Sequence, residues 1–150
     1  MVSDEVCAYA AGLFDAEGHI GIAVVKASWG DKWYHRLQIA LTNTDRRAPD
    51  WLKEHFGGNV GSFQNPSGRA RRSYRWQMAS KPALEFLRLI QPYSVGKAEE
   101  IDIALEFGAL GATRGRTHAT VGAPAGDIYE RREGCRQRLM AIHRGKAVAP

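Results

Sequence analysis

Ala10-Ala-Gly-Leu-Phe-Asp-Ala-Glu-Gly18 is the stretch on which the reading of this chain turns. It closes a helix that starts at Ser3 or Asp4, either of which can cap the first N–H groups, and that Gly18 ends. Ala8, Gly12 and Ala16 fall four residues apart and so share one stripe of that helix. A stripe with almost no side chain lets a second helix backbone come very close. Gly12 costs about 1 kcal/mol of helix propensity against Ala, so a contact should offset it. That contact lies either inside the chain's own domain or across a two-fold axis, against the same stripe of a second copy. Val6, Leu13 and Phe14 are placed to anchor the helix to its core.

Asp15 and Glu17 sit at the helix end where the backbone dipole is negative, which is the unfavourable end for acids. Two misplaced carboxylates followed by a glycine point to a purpose. In a dimer packed along the stripe, the two copies of Glu17 would meet, and carboxylates that close need a cation beside them. Few, hard oxygen ligands suit Mg²⁺, which also binds phosphate oxygens.

Outward from this helix the hydrophobic period changes. Ile20, Ile22 and Val24 alternate with His19, Gly21 and Ala23, which predicts a strand over 18–28. After a turn at 29–32, Leu37, Ile39 and Leu41 alternate with Arg36, Gln38, Ala40 and Thr42 in a second strand, 34–43. Pro49 suits the first turn of a helix that Gly57-Gly58 stops. The pattern repeats with a strand at 59–64, turn residues at 65–68, and a strand at 73–80 with Tyr74, Trp76 and Met78 opposite Arg75 and Gln77. Helices are expected at 82–90 and 97–110, then a Gly/Thr/Ala-rich loop at 111–126. A final amphipathic helix is expected at 127–143, with Leu139 and Ile142 on its apolar side. Two hairpins interleaved with helices make an α+β fold, with helices on the apolar face of a four-stranded antiparallel sheet. The other face carries Arg36, Gln38, Thr42, Gln64, Arg75 and Gln77, with Arg69, Arg71 and Arg72 at a hairpin tip. Arg and Gln make bidentate contacts to guanine and adenine edges, and β-ribbons enter the major groove. A face left to water is the commoner alternative.

Composition agrees. The chain has 150 residues, 44% of them hydrophobic and 25% charged, which is enough for one domain with a real core. We expect a single domain over 1–150, with its core at about 3–110 and a C-terminal loop and helix at 111–150. The net charge is +5, and it is unevenly spread. Residues 1–18 carry four acids and no Lys or Arg, whereas residues 19–81 carry eleven basic and four acidic side chains. No run of about eighteen apolar residues is present, so no membrane partner is expected. Acids at the N-terminus argue against an export signal. Cys7 and Cys135 make neither a disulfide framework nor a four-ligand zinc site, so a reduced cytoplasm is the expected location.

The residues 10–18 resemble the LAGLIDADG motif that names a family of homing endonucleases. Six of nine positions are identical: Ala11, Gly12, Leu13, Asp15, Ala16 and Gly18. Ala10, Phe14 and Glu17 replace Leu, Ile and Asp. The αββαββα order, Thr42-Asn-Thr-Asp45 and Gln91-Pro-Tyr-Ser-Val-Gly-Lys97 are similar to the family as well, and the chain holds one copy of the motif. The resemblance implies a homodimer that binds a long, near-palindromic site on double-stranded DNA with the concave faces of two sheets. It also implies Mg²⁺ or another divalent cation, and hydrolysis of both strands. Glu17 takes the place of the metal-binding acid, and the Gly18 carbonyl shares the coordination. Asp45 matches the group that orients the attacking water, with a surface-loop aspartate as the alternative. Lys97 matches the basic residue of the active-site pocket. His19 follows the motif on the DNA-facing side. Ala8, Gly12 and Ala16 become the dimer interface. An arginine common in the family's pocket is missing near Pro49, and Arg46 or Arg47 is available to replace it. An intron RNA maturase or a DNA-binding regulator on the same scaffold is the rival reading. The loop at 111–126 contains no phosphate-binding Gly-Lys-Ser/Thr, and the five histidines show no zinc spacing. The arginines of the last helix, Arg131, Arg132, Arg136 and Arg138, read as a solvated face.

Overall fold

The computed structural model describes residues 1–28, 33–64, 66–69, 71–110 and 125–148. The turn expected at 29–32, Asn65 in the second hairpin and nearly all of the loop at 111–126 lie outside the described residues. The elements are α1 (Asp4–Glu17), β1 (Gly18–Lys26), β2 (Trp33–Asn43), α2 (Arg47–Phe56), β3 (Asn59–Phe63), β4 (Ser73–Ala79), α3 (Ser80–Ile90), a 3₁₀ turn (Gln91–Tyr93), α4 (Ala98–Leu110) and α5 (Ala125–Val148). The strands form one antiparallel sheet in the order β1-β2-β4-β3. The chain divides into two compact units, one of Met1–His19 with Gln38–Ala98, the other of Ile20–Leu37 with Glu99–Pro150.

In the first unit, Ser3 caps α1 as expected, its hydroxyl accepting from the Val6 N–H at 3.4 Å. The other end differs from expectation. Gly18 is not in a left-handed stop but in extended backbone (φ −73°, ψ 157°), so the helix runs into β1 with no loop residue between them. Glycine is needed there for space: a Cβ would overlap the Phe14 ring and its carbonyl. Cys7, Ala10, Ala11 and Phe14 form the buried side of α1. The Phe14 ring packs edge-on against Phe86 of α3, and Phe86 packs on Trp76 of β4 and Phe56 of α2. Trp76 is fully buried, and its indole N–H donates to the Gly57 carbonyl at 2.8 Å. Truncating it would cost about 3–5 kcal/mol. Gly57 and Gly58 stop α2 with positive φ (80° and 91°), as their positions predicted.

Register settles which side chains point away from this core. Gln38 pairs with Ala79, Ala40 with Gln77 and Thr42 with Arg75. On the other side of β4, Asn59 pairs with Gln77, Gly61 with Arg75 and Phe63 with Ser73. Trp76 pairs with Leu41 and Val60, on the core side. Gln38, Thr42, Arg75 and Gln77 are exposed as expected, whereas Ala40 is covered. Gln64 lies one residue beyond β3.

In the second unit, Ile20, Ile22, Leu37, Ile101, Ile103, Ala104, Phe107, Cys135 and Leu139 are buried. β1 ends at Lys26. α5 is longer at both ends than its apolar pattern implied, because much of its anchoring is polar. The buried His35 Nε2 donates to Glu133 at 2.7 Å, Arg138 binds Glu106 of α4, and Lys146 and His143 hold the buried Glu100. The bond from His35 leads the interactions that draw the Glu133 carboxyl down to about 2. Among the described residues, no helix is long and apolar enough to cross a membrane.

Candidate functional site

The end of α1 places two carboxylates with opposite surroundings. Asp15 is half-buried and reaches the turn ahead of α4. It accepts from the Ser94 hydroxyl and from the backbone N–H groups of Val95 (2.7 Å), Gly96 (3.0 Å) and Lys97 (3.1 Å). Burial pushes the Asp15 carboxyl up, but these four bonds together pull it further down, leaving it below the ordinary aspartate value. The helix-end acid that looked misplaced is thus the partner of a row of backbone donors that opens the next helix. Those bonds also fix where Lys97 leaves the backbone.

Glu17 is exposed. One carboxylate oxygen accepts from the Asn43 side-chain amide at 2.7 Å. The other face of that amide, Oδ1, accepts from the Asp45 backbone N–H at 2.8 Å. Asn43 therefore links Glu17 to the turn carrying Asp45. It sits in a stretch noted for its resemblance, but no side-chain periodicity singled it out. Only the contact across 26 residues reveals its role.

Asp45 precedes α2 and faces its first residue. Its oxygens accept from the Arg47 backbone N–H at 2.9 Å and from the Arg47 guanidinium through two nitrogens, at 2.6 to 3.1 Å. These side-chain and backbone bonds hold the Asp45 carboxyl down at about 2. The Arg47 side chain is 91% exposed. Arg46, the other basic residue near the missing pocket arginine, instead binds Asp50 at 2.8 Å and lies over the Tyr74 ring.

Ala8, Gly12 and Ala16 are all exposed, and a Cβ at Gly12 would meet nothing within 4 Å. Among the described residues, the stripe is not spent on packing within the chain. His19, Arg36, Gln64, Arg69, Arg71 and Arg72 are exposed too. Among the described residues, Arg36, Arg69, Arg71, Arg72 and Arg75 form no ion pair. No three His, Cys, Asp or Glu side chains gather at one point among the described residues. At the end of α1, Glu17 is thus an exposed carboxylate with one protein donor described, whereas Asp15 is taken up by four.

No protein-family model matches the chain, and no curated protein matches it in sequence. Solved structures do. The homing endonuclease I-CvuI, in complex with its target and calcium, superposes with a TM-score of 0.72 at 13% identity, covering 93% of this chain and 82% of that one. The archaeal intron-encoded homing endonuclease I-Vdi141I, complexed with DNA, gives 0.69 at 15% identity, covering 92% and 84%. I-SmaMI, bound to an uncleaved DNA target with calcium ions, gives 0.65 at 18% identity, covering 91% of this chain but 48% of that one. With the motif at the end of α1 and the β1-β2-β4-β3 sheet, these superpositions lead to one conclusion: the chain has the fold of the LAGLIDADG homing endonucleases.

Proposed function

We propose that the chain is a site-specific double-strand DNA endonuclease of the homing type, acting inside the cell as a C2 homodimer in which all 150 residues serve as one endonuclease domain. The observation that carries this reading is the outward-facing Ala8-Gly12-Ala16 stripe that runs directly into the exposed Glu17. Packing two such stripes together makes one interface and brings two hard carboxylates to it. The more than four-fifths coverage of I-CvuI and I-Vdi141I by this one-motif chain supports a dimer of whole copies.

In this reading Glu17, with the Gly18 carbonyl, holds Mg²⁺ or another divalent cation. When bound, the cation would polarise the scissile phosphate and stabilise the leaving oxygen. Asn43 orients the Glu17 carboxylate. Asp45 orients the attacking water, and the highly exposed Arg47 is free to exchange the Asp45 carboxylate for a phosphate oxygen. Lys97, its backbone fixed by Asp15, supplies positive charge to the phosphate. His19, Arg36, Gln38, Thr42, Arg75 and Gln77 face base edges, Gln64 reaches the DNA from just beyond the end of β3, and Arg69, Arg71 and Arg72 grip the backbone at the hairpin tip.

The test is cleavage of a randomised duplex library with Mg²⁺ or EDTA, comparing wild type with Glu17→Gln. Cuts at one near-palindromic site that need Mg²⁺ and vanish in the variant are expected. Binding enrichment by wild type without cuts, or a preference for structured intron RNA, would replace the nuclease by a regulator or a maturase. The dimer has its own test. A Cβ at Gly12 would meet nothing within 4 Å, so Gly12→Arg should fold normally yet sediment as a monomer and stop cutting. A variant that still dimerises would remove the stripe from the interface.

A further inference from the structure

Phe63 is 49% exposed at the end of β3. A lone exposed phenylalanine is ordinary on a protein surface, but three features set this one apart. The register turns it away from an aromatic core that lies within reach of its strand: Val60 pairs with the buried Trp76 and Ser62 with Tyr74, while Phe63 pairs with Ser73 on the open side. The next outward position on its own strand is Gly61, where a Cβ would meet nothing within 4 Å, so no neighbouring side chain there covers the ring. The stretch of chain around it also lacks acids. Residues 55–84 contain no Asp or Glu but include Arg69, Arg71, Arg72, Arg75 and Lys81. Arg75 shares the open face, opposite Gly61.

A two-stranded ribbon with this charge fits a polyanion, and in a major groove the apolar group that distinguishes one base pair from the others is the thymine 5-methyl. Resting on the nuclease reading, we infer that Phe63 is a specificity-determining residue that reads a thymine methyl in each half-site. The arginines hold the ribbon on the phosphates, and the ring covers a methyl that would otherwise stay in water. Burying one methyl is worth about a fourfold affinity difference per half-site.

The test replaces thymine by uracil, which removes the methyl and leaves every hydrogen-bonding group in place. A duplex site recovered by binding selection is scanned with single T→U changes against wild type, Phe63→Ala and Phe63→Leu. The ratio of the two affinities is the readout, which a general weakening of binding does not move. We expect wild type to lose about fourfold at one thymine per half-site, Phe63→Ala to lose nothing there, and Phe63→Leu to keep part of the effect. A site with no sensitive thymine, or a sensitivity unchanged in Phe63→Ala, would overturn this inference alone. Failure to recover any duplex would overturn the nuclease reading with it.

Discussion

Two turns lie against the end of α1, and the same helix holds both with carboxylates two residues apart. The turn at 94–97 is gripped by Asp15 through four hydrogen bonds, and that carboxylate is half-buried. The turn at 43–47 meets Glu17 through one bond from Asn43, and that carboxylate is open to solvent. The difference teaches how a pair of acids at an unfavourable helix end divides its work. Asp15 is saturated by protein donors and fixes structure. Glu17 keeps most of its lone-pair capacity for a partner from outside.

The sharpest way to test that division is to neutralise each acid in turn. Glu17→Gln should reduce cutting by at least about a thousandfold, about 4 kcal/mol of transition-state stabilisation. It should also leave thermal stability within about 0.5 kcal/mol, as for an exposed site. Measuring the melting temperature alongside cleavage checks both halves. Asp15→Asn should do the reverse first, lowering stability by about 2 kcal/mol because the turn's donors lose a charged acceptor. Its cutting should fall secondarily through displaced Lys97. If Asp15→Asn melts like wild type, the contrast fails.

Asn43→Ala probes the weaker tether. We expect a roughly tenfold loss of cleavage rate with a stability change under about 1 kcal/mol, since one exposed hydrogen bond is removed. The smallest effect is in pH. The folded Asp15 carboxyl lies below its ordinary 3.8. Its contribution is therefore present above about pH 4 and is lost as pH falls through the lower folded value. The stability gap between wild type and Asp15→Asn should accordingly shrink on acidification below pH 4, in denaturant melts at each pH. A gap that widens there would contradict the hydrogen-bonded, ionised Asp15.

The elements legible in the sequence were those set by local rules. The bounds of α1, the alternation in β2 and β4, and the glycines after α2 follow from capping, period and positive φ within a few residues. The contacts that build the site are not local. Asp15 meets its donors about 80 positions along the chain, and Asn43 meets Glu17 across 26, so neither leaves a periodic trace. Gly18 was read as a helix stop, but its requirement is the volume of the Phe14 ring, which no one-dimensional pattern shows. The extent of α5 was hidden for a related reason: ion pairs to Glu100 and Glu106, together with the bond between His35 and Glu133, help hold it and do not mark an apolar stripe. Phe63 escaped because its face depends on which residue of β4 it pairs with.

The five arginines without ion pairs among the described residues, Arg36, Arg69, Arg71, Arg72 and Arg75, carry one last consequence. Among the described residues, no carboxylate has to let go of them before a polyanion binds. On the DNA side, each neutralised phosphate sheds condensed cations into bulk solution. If the three at the hairpin tip, Arg69, Arg71 and Arg72, engage phosphates, the logarithm of affinity falls with the logarithm of salt at a slope of about −2.7 per chain. Much of the drive to bind is then mixing entropy of small ions, and the surrounding electrolyte becomes a control on residence time that leaves the fold untouched.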